Sequence, residues 1–172
     1  YSPTPGEALR QQAQAYAEPQ FFDICDVARI ASKAMPSHWP TGQRLGFEVR
    51  LCPVVRTARS GVERDAFLAH VDRSDAPADR EAVYTQWLGQ HLDRSGAVTL
   101  EASRMTRLRR CRLTRRRADR HANTLERPDV IMQGALTVRD SAAFHTLLTR
   151  GIGRHRAFGF GMLLLRADTR EG

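Results

Sequence analysis

Lysine is almost missing from this chain: Lys33 stands alone among 27 basic residues, so arginine carries the positive charge. Total arginine can follow base composition in a GC-rich genome, and only its clustering is informative. Cysteine is sparse as well. Cys25, Cys52 and Cys111 are odd in number and far apart, which argues against a disulfide scaffold and fits a reducing cytoplasm. No zinc-ligand spacing is present, no apolar run reaches the roughly 18 residues of a membrane span, and no secretory signal is visible. These absences predict a soluble cytoplasmic protein with no cofactor, no metal and no membrane partner. No Gly-Lys-Ser/Thr occurs, which excludes a Walker loop. Methionine is also missing at position 1, and the expectation from Tyr1 is that an N-terminal portion precedes it.

What remains is enough for a core. The 172 residues are 41% apolar, consistent with one domain, or one domain and part of another. The net charge of +8 is concentrated in residues 104–120, where nine arginines (Arg104, Arg107, Arg109, Arg110, Arg112, Arg115, Arg116, Arg117 and Arg120) face one acid, Asp119. Guanidinium groups fork onto phosphates and guanine edges and stack on bases, so this cluster points to nucleic acid before membranes or acidic proteins. The plainer alternative is a solvated basic face.

A second motif is Gly151-Ile152-Gly153-Arg154-His155-Arg156-Ala157-Phe158-Gly159-Phe160-Gly161. Glycine lacks the Cβ that would hold a polyanion off the main chain, and it tolerates positive φ. Backbone N–H groups, Arg154 and Arg156 could then converge on phosphate. A dinucleotide fingerprint or Walker loop follows a strand and opens a helix, but here a helix precedes and a strand follows. Helix termination by Gly151 and strand packing by Gly159 and Gly161 is the plainer reading, and it leaves Arg154, His155 and Arg156 unexplained.

Thr4, Pro5 and Glu7 predict a helix start, with Thr4 as N-cap and Leu9, Ala13, Tyr16 and Ala17 on one face. Pro36 and Pro40 predict a linker, with a boundary near residue 42 that separates 1–42 from 43–168. Leu45, Phe47, Val49 and Leu51 then alternate as a half-buried strand stopped by Pro53. Residues 62–71 predict a short helix. Asp79 caps a longer one with Val83, Tyr84, Trp87, Leu88 and Leu92 inward, ending at Gly96. Val98, Leu100 and Ala102 restart alternation, which slips at Met105 and predicts a bulge. Val130, Met132, Leu136 and Val138 form another strand, Asp140 or Ser141 caps a helix bearing Phe144, Leu147 and Leu148, and Phe158, Phe160, Met162 and Leu164 form the last strand. From residue 44 this is the βαββαβ plan of an α+β, ferredoxin-like (RRM-like) domain. The arginines fall on its middle hairpin, whose tip spans roughly 115–126.

An arginine ribbon of this kind can enter a groove, and RNA stem-loops are recognised through shape and phosphate. Cleavage of RNA without metal needs a base for the 2′-OH, a donor for the leaving 5′-oxygen and cations around the phosphorane. His155 is a weak candidate for such a group. His38, His70, His91, His121 and His145 read as surface or packing residues, Cys111 as a small apolar residue beneath the hairpin, and Lys33 and Tyr84 take no assignment.

The stretch 151–165, Gly-Ile-Gly-Arg-His-Arg-Ala-Phe-Gly-Phe-Gly-Met-Leu-Leu-Leu, resembles the C-terminal glycine loop of CasE-type CRISPR RNA-processing endoribonucleases of the repeat-associated (RAMP) superfamily. Residues 45–56 are similar to the opening strand of that family's second domain, and residues 129–140 to the strand before its last helix. The resemblance covers about residues 42–167. It implies two tandem ferredoxin-like domains and metal-independent cutting of the repeat hairpin of precursor CRISPR RNA. It also implies retention of the 3′ hairpin within a Cascade complex, beside the backbone subunit nearest the 3′ end of the guide. By the same resemblance residues 104–120 would bind the RNA hairpin. Gly151, Gly153, Arg154, His155, Arg156, Phe158, Gly159 and Gly161 would contact RNA and the first domain. The family's usual catalytic histidine lies in the first helix of its first domain, and residues 4–36 would be a remnant of that domain. No catalytic residue is therefore carried over. A non-catalytic RNA-hairpin-binding capping subunit is the alternative, and a backbone subunit of the superfamily fits the arginine hairpin less well.

Overall fold

The computed structural model describes residues 4–57, 61–74, 76–116 and 122–167, with the side chains at 115, 116, 122 and 123 excepted. Arg117, Arg120 and His121 and the side chains of Arg115 and Arg116, which the sequence reading placed on the hairpin, therefore lie outside the described residues. The chain divides into two compact units, Tyr1–Ser37 and His38–Gly172. Among the described residues no helix is long and apolar enough to cross a membrane.

The first unit holds α1 (Gly6–Tyr16), α2 (Pro19–Ile24) and a 3-10 turn at Val27–Arg29. Pro5, not Thr4, is the N-cap of α1, and no side chain caps it. The ring holds Pro5 at φ −60° with ψ extended at 152°, which delays the helix by one residue. Glu7 accepts hydrogen bonds from Arg10 instead, and Arg10 also donates to the Ile30 carbonyl at 2.6 Å. Tyr16, on the face expected to carry Leu9 and Ala13, is 86% exposed. The six-residue α2 is too short to write a helical period into the sequence.

The second unit contains β1 (Arg44–Leu51), β2 (Val54–Arg56), β3 (Glu63–Asp65), α3 (Ala66–Val71), α4 (Arg80–Ser95), β4 (Val98–Arg116), β5 (Ala122–Val138), α5 (Ser141–Arg150) and β6 (Leu163–Ala167). Its main sheet has the order β4-β5-β1-β6, antiparallel throughout. With α4 and α5 as the crossovers this is the expected ferredoxin-like domain. The small β2–β3 sheet and α3 are inserted between β1 and α4; residues 62–71 are thus a strand and a helix rather than a helix alone. Trp39 sets the unit boundary ahead of residue 42. It is buried edge-on to Phe144 at 5.3 Å, its backbone N–H donates to Ser141 Oγ at 2.9 Å, and Gly42 N–H donates to Val138 at 2.8 Å.

One face of the sheet is covered. Leu45, Phe47, Val49 and Leu51 of β1 lie opposite Leu136, Gly134, Met132 and Val130 of β5, and these apolar residues bury against Tyr84, Trp87, Leu88 and Leu92 of α4 and Phe144, Leu147 and Leu148 of α5. The helices start where the sequence provides a carboxylate. Asp79 accepts the Ala82 N–H at 2.9 Å and Asp140 the Ala143 N–H at 2.6 Å. Gly96 closes α4 at φ 65°.

The register carries two irregularities in β4, between Leu100 and Ala102 and between Met105 and Arg107. The second is the slip expected at Met105. Gly134 makes the first possible, because a Cβ there would lie 1.9 Å from the Ala102 carbonyl oxygen. The last strand differs from expectation: Leu163 is 1% exposed, whereas Met162 and Leu164 are 48% and 50% exposed. Residues Arg156–Phe158 form a 3-10 turn, and Gly159 and Gly161, at φ 78° and 84°, reset the phase before β6 begins.

These contacts predict a sharp contrast between two glycines. Gly134→Ala forces backbone apart within the ribbon and should cost about 3 kcal/mol or more. Gly96→Ala meets nothing within 4 Å and should lose only about 1 kcal/mol to its positive φ. Urea denaturation of the two variants measures the difference.

Candidate nucleic-acid interface

Strand alternation would ordinarily place Arg104 and Arg107 on opposite faces. The extra residue inserted at Thr106 rephases them, so that Arg104, Arg107 and Arg109 lie opposite Gln133, Ile131 and Asp129. All three share the sheet face that α4 and α5 leave open. Arg110 and Arg112 lie opposite Pro128 and Glu126 on the other side of the ribbon. The cluster seen in the sequence is therefore split between two faces. Arg110 donates to Glu126 at 3.1 Å and Arg104 reaches Gln133 at 3.4 Å. Among the described residues Arg107 and Arg112, both exposed, make no side-chain hydrogen bond or ion pair.

Arg109 has a different task. Its Nε donates to Asp129 Oδ2 at 2.5 Å, while Arg50 grips the same carboxylate through Nε at 2.7 Å and Nη2 at 3.0 Å. Asp129 is fully buried, the only charged side chain so placed among the described residues. Burial pushes its carboxyl pKa up, but the hydrogen bonds and charges of Arg50 and Arg109 outweigh that and hold it below the usual carboxylate range. Arg50 also lies 4.4 Å from the centroid of Phe160, and its carbonyl accepts the Gly161 N–H at 2.7 Å. The pair thus joins β1, β4 and β5 to the glycine loop. Sequence reading missed both Asp129 and Arg50 as site residues, since 79 positions separate them and no local spacing relates them.

The glycine loop is folded largely onto itself. Gly151, Gly153, Gly159 and Gly161 all take positive φ. A Cβ on Gly161 would lie 2.2 Å from the Ile152 carbonyl oxygen, one on Gly151 2.8 Å from the Gly161 carbonyl oxygen, and one on Gly153 2.7 Å from the Trp87 ring. The N–H groups of Gly151, Ile152, Phe158, Gly159 and Gly161 donate to carbonyls of the protein. Those five are therefore not free to converge on phosphate. Gly159 meets only Arg50, at 3.7 Å, so its positive φ rather than crowding requires glycine.

The loop's arginine and histidine side chains are held as well. Arg154 Nε donates to Glu63 Oε1 at 2.5 Å, His155 Nε2 lies 2.7 Å from Glu63 Oε2, and Arg156 donates to the Arg150 carbonyl at the end of α5. His155 is the only non-glycine residue at positive φ among the described residues, at 60°. Burial pushes the Glu63 carboxyl up, but hydrogen bonds and charge from His155 and Arg154 hold it below its ordinary value. Phe158 packs half-buried against a small cluster of Cys52, Val54, Leu113 and Phe160, where Cys111 also sits as expected.

A buried carboxylate under an arginine ribbon on a ferredoxin-like sheet, beside a glycine loop, sets the frame for comparison with known proteins. The profile of the CRISPR associated protein family matches residues 2–167. The chain belongs to that family. No curated protein matches it. Among solved structures it is similar to the CRISPR endoribonuclease Cse3 bound to a 19 nt RNA, at TM-score 0.57 and 24% identity over 78% of this chain and 60% of that one. It is similar also to Thermus thermophilus Cse3 bound to an RNA representing a pre-cleavage complex, at 0.55 and 21% over 84% and 65%. A chain of a CRISPR RNA-guided surveillance complex aligns at 0.58 and 21% over 80% and 65%. At these identities the likeness establishes the fold. The chain spans 60% of the first of these proteins and 65% of the other two. The CRISPR family and the ferredoxin-like fold expected from the sequence both stand.

The Asp129 cluster predicts acid sensitivity of definite sign. A carboxylate held below its unfolded pKa of about 4 stabilises the fold above that pH, and the contribution disappears as pH falls through the lower folded value. Asp129→Asn should cost about 3 kcal/mol at pH 7. It should also flatten the loss of stability between about pH 5 and pH 2, as read from chemical denaturation across that range.

Proposed function

We propose that this chain is the RNA-gripping portion of a CRISPR RNA-processing endoribonuclease, one that binds the repeat stem-loop of precursor CRISPR RNA. The observation that carries the reading is the rephased ribbon, which offers unpaired guanidinium groups at Arg107 and Arg112 on an antiparallel two-stranded projection. Such a ribbon suits a helical groove bounded by phosphates. Family membership and the shared fold with the Cse3 structures support it. In this reading the product hairpin stays bound at the 3′ end of the guide within a Cascade effector complex, and the unit Tyr1–Ser37 belongs to a first ferredoxin-like domain.

The chemistry that follows requires no metal. The 2′-oxygen attacks the adjacent phosphorus and the 5′-oxygen leaves, giving a 2′,3′-cyclic phosphate and a 5′-hydroxyl. The 2′-OH proton passes to a base, and a proton is delivered to the leaving oxygen. Guanidinium groups stabilise the charge of the phosphorane. None of the residues assembled above is assigned as the base. The alternative reading is a protein that binds and caps the RNA hairpin without cutting it.

Two measurements test the proposal. About four ribbon arginines on phosphates should give a slope of roughly −3 to −4 in log K against log salt for stem-loop RNA. Arg107→Ala with Arg112→Ala should weaken stem-loop binding more than single-strand binding, and equal losses would count against groove recognition. A repeat RNA carrying one 2′-deoxy nucleotide at the cut site should bind normally and resist cleavage. Normal cleavage of that substrate rejects the mechanism.

A further inference from the structure

Between the glycine loop, the β2–β3 sheet and the arginine ribbon lies a cleft of about 550 Å³. Its lining divides by chemistry. Leu113, Leu125 and Phe158 supply apolar surface, and Arg56, Arg127 and Arg154 supply three guanidinium groups. Glu63 is the only carboxylate among the described lining residues, so the cleft carries an excess of at least two positive charges. That single carboxylate is shared among Arg154 at 2.5 Å, His155 at 2.7 Å and Arg127 at 3.5 Å.

Arg127 is under-satisfied. Its Nε is buried with no hydrogen-bond partner, its Nη1 reaches only the Glu126 carbonyl at 3.1 Å, and the 3.5 Å to Glu63 is beyond an ordinary N–H to O contact. A buried donor without an acceptor is costly, and with 14% of the Arg127 side chain exposed it is the rest of the guanidinium, not the enclosed Nε, that a ligand can reach. His155, which lines the cleft and pairs with the same carboxylate, has a positive φ of 60°, a backbone conformation that side chains other than glycine seldom adopt. Charge balance within the fold would have been met by a second acid. The lining offers instead an apolar patch beside cations.

We propose that the cleft binds a single unpaired nucleotide, with its base against Phe158, Leu113 and Leu125 and its phosphate on Arg127 and Arg154. Glu63 holds those cations in place until the phosphate arrives. The volume is that of a small-ligand site rather than of a duplex groove. The ligand chemistry is a nucleoside phosphate, either an unpaired nucleotide of the RNA strand held by the ribbon or a free nucleotide. The inference rests on the RNA-binding reading above for the first of these sources only.

The test compares a blunt RNA stem-loop, the same stem-loop with one unpaired nucleotide beside the stem, and the same with an abasic residue there. Alongside, the thermal midpoint of the protein is followed with 5′-AMP or adenosine. The unpaired nucleotide should tighten binding roughly tenfold over the blunt stem, and the abasic residue should lose most of that gain. Phe158→Ala should abolish the ratio between extended and blunt stems. 5′-AMP, but not adenosine, should raise the thermal midpoint. A midpoint shift without any gain from the extension assigns the cleft to free nucleotide. If the three stems bind equally and 5′-AMP does not stabilise the protein, the cleft is not a nucleotide site, although the RNA-binding function stands. If no stem-loop binds, that function fails, and the 5′-AMP arm alone decides the cleft.

Discussion

One buried carboxylate organises the half of this domain that carries the arginine ribbon and the glycine loop. Asp129 sits at the point where β5 leaves the ribbon and enters the helix-covered core, and it is fully buried. An isolated charge there would be expelled or neutralised, so it exists only because Arg50 and Arg109 close on it from β1 and β4. Three strands are thereby locked at the place where helix packing no longer covers them. Arg50 then passes the constraint on, through the Phe160 ring and the Gly161 N–H, to the glycine loop. The ribbon and the loop share an anchor.

That anchor changes what the arginine cluster means. Among the described residues of the run Arg109 makes the shortest ion pair, and it holds Asp129 while 56% of its side chain stays exposed. The bulge at Thr106 brings Arg107 onto the face of Arg104, and strand alternation sends Arg110 and Arg112 to the opposite one. Basic charge on both sides of a two-stranded projection is what a ribbon needs to meet phosphates flanking a groove. The glycine loop, in turn, is less a cradle of N–H groups than a tightly folded bracket that positions Arg154 and His155 over Glu63.

Much of the fold was legible in the sequence because its signals are local. Period-2 alternation marked β1 and β5, Asp79 and Asp140 marked helix starts, Gly96 marked a helix end, and the slip at Met105 marked a bulge. The errors share one cause, which is that a short element or a glycine-bent segment has no period to read. The insertion of β2, β3 and α3 was seen only as a helix, α2 was not seen, and the phase of β6 was taken through two glycines that reset it. At the site, the arginine run and the glycine loop could be found by composition, whereas Asp129, Arg50 and Glu63 could not. Their partners lie 20 to 92 residues away.

By itself, then, the chain's order of residues determined the ferredoxin-like plan, the place of the basic hairpin and the resemblance to CRISPR proteins, since periodicity, capping and motif composition act over a few neighbouring positions. Only the tertiary structure decided which arginines close on a buried carboxylate and which make no ion pair among the described residues, and which side chains share Glu63. Those outcomes depend on strand register and desolvation, and both are set by residues that meet only when the sheet has formed.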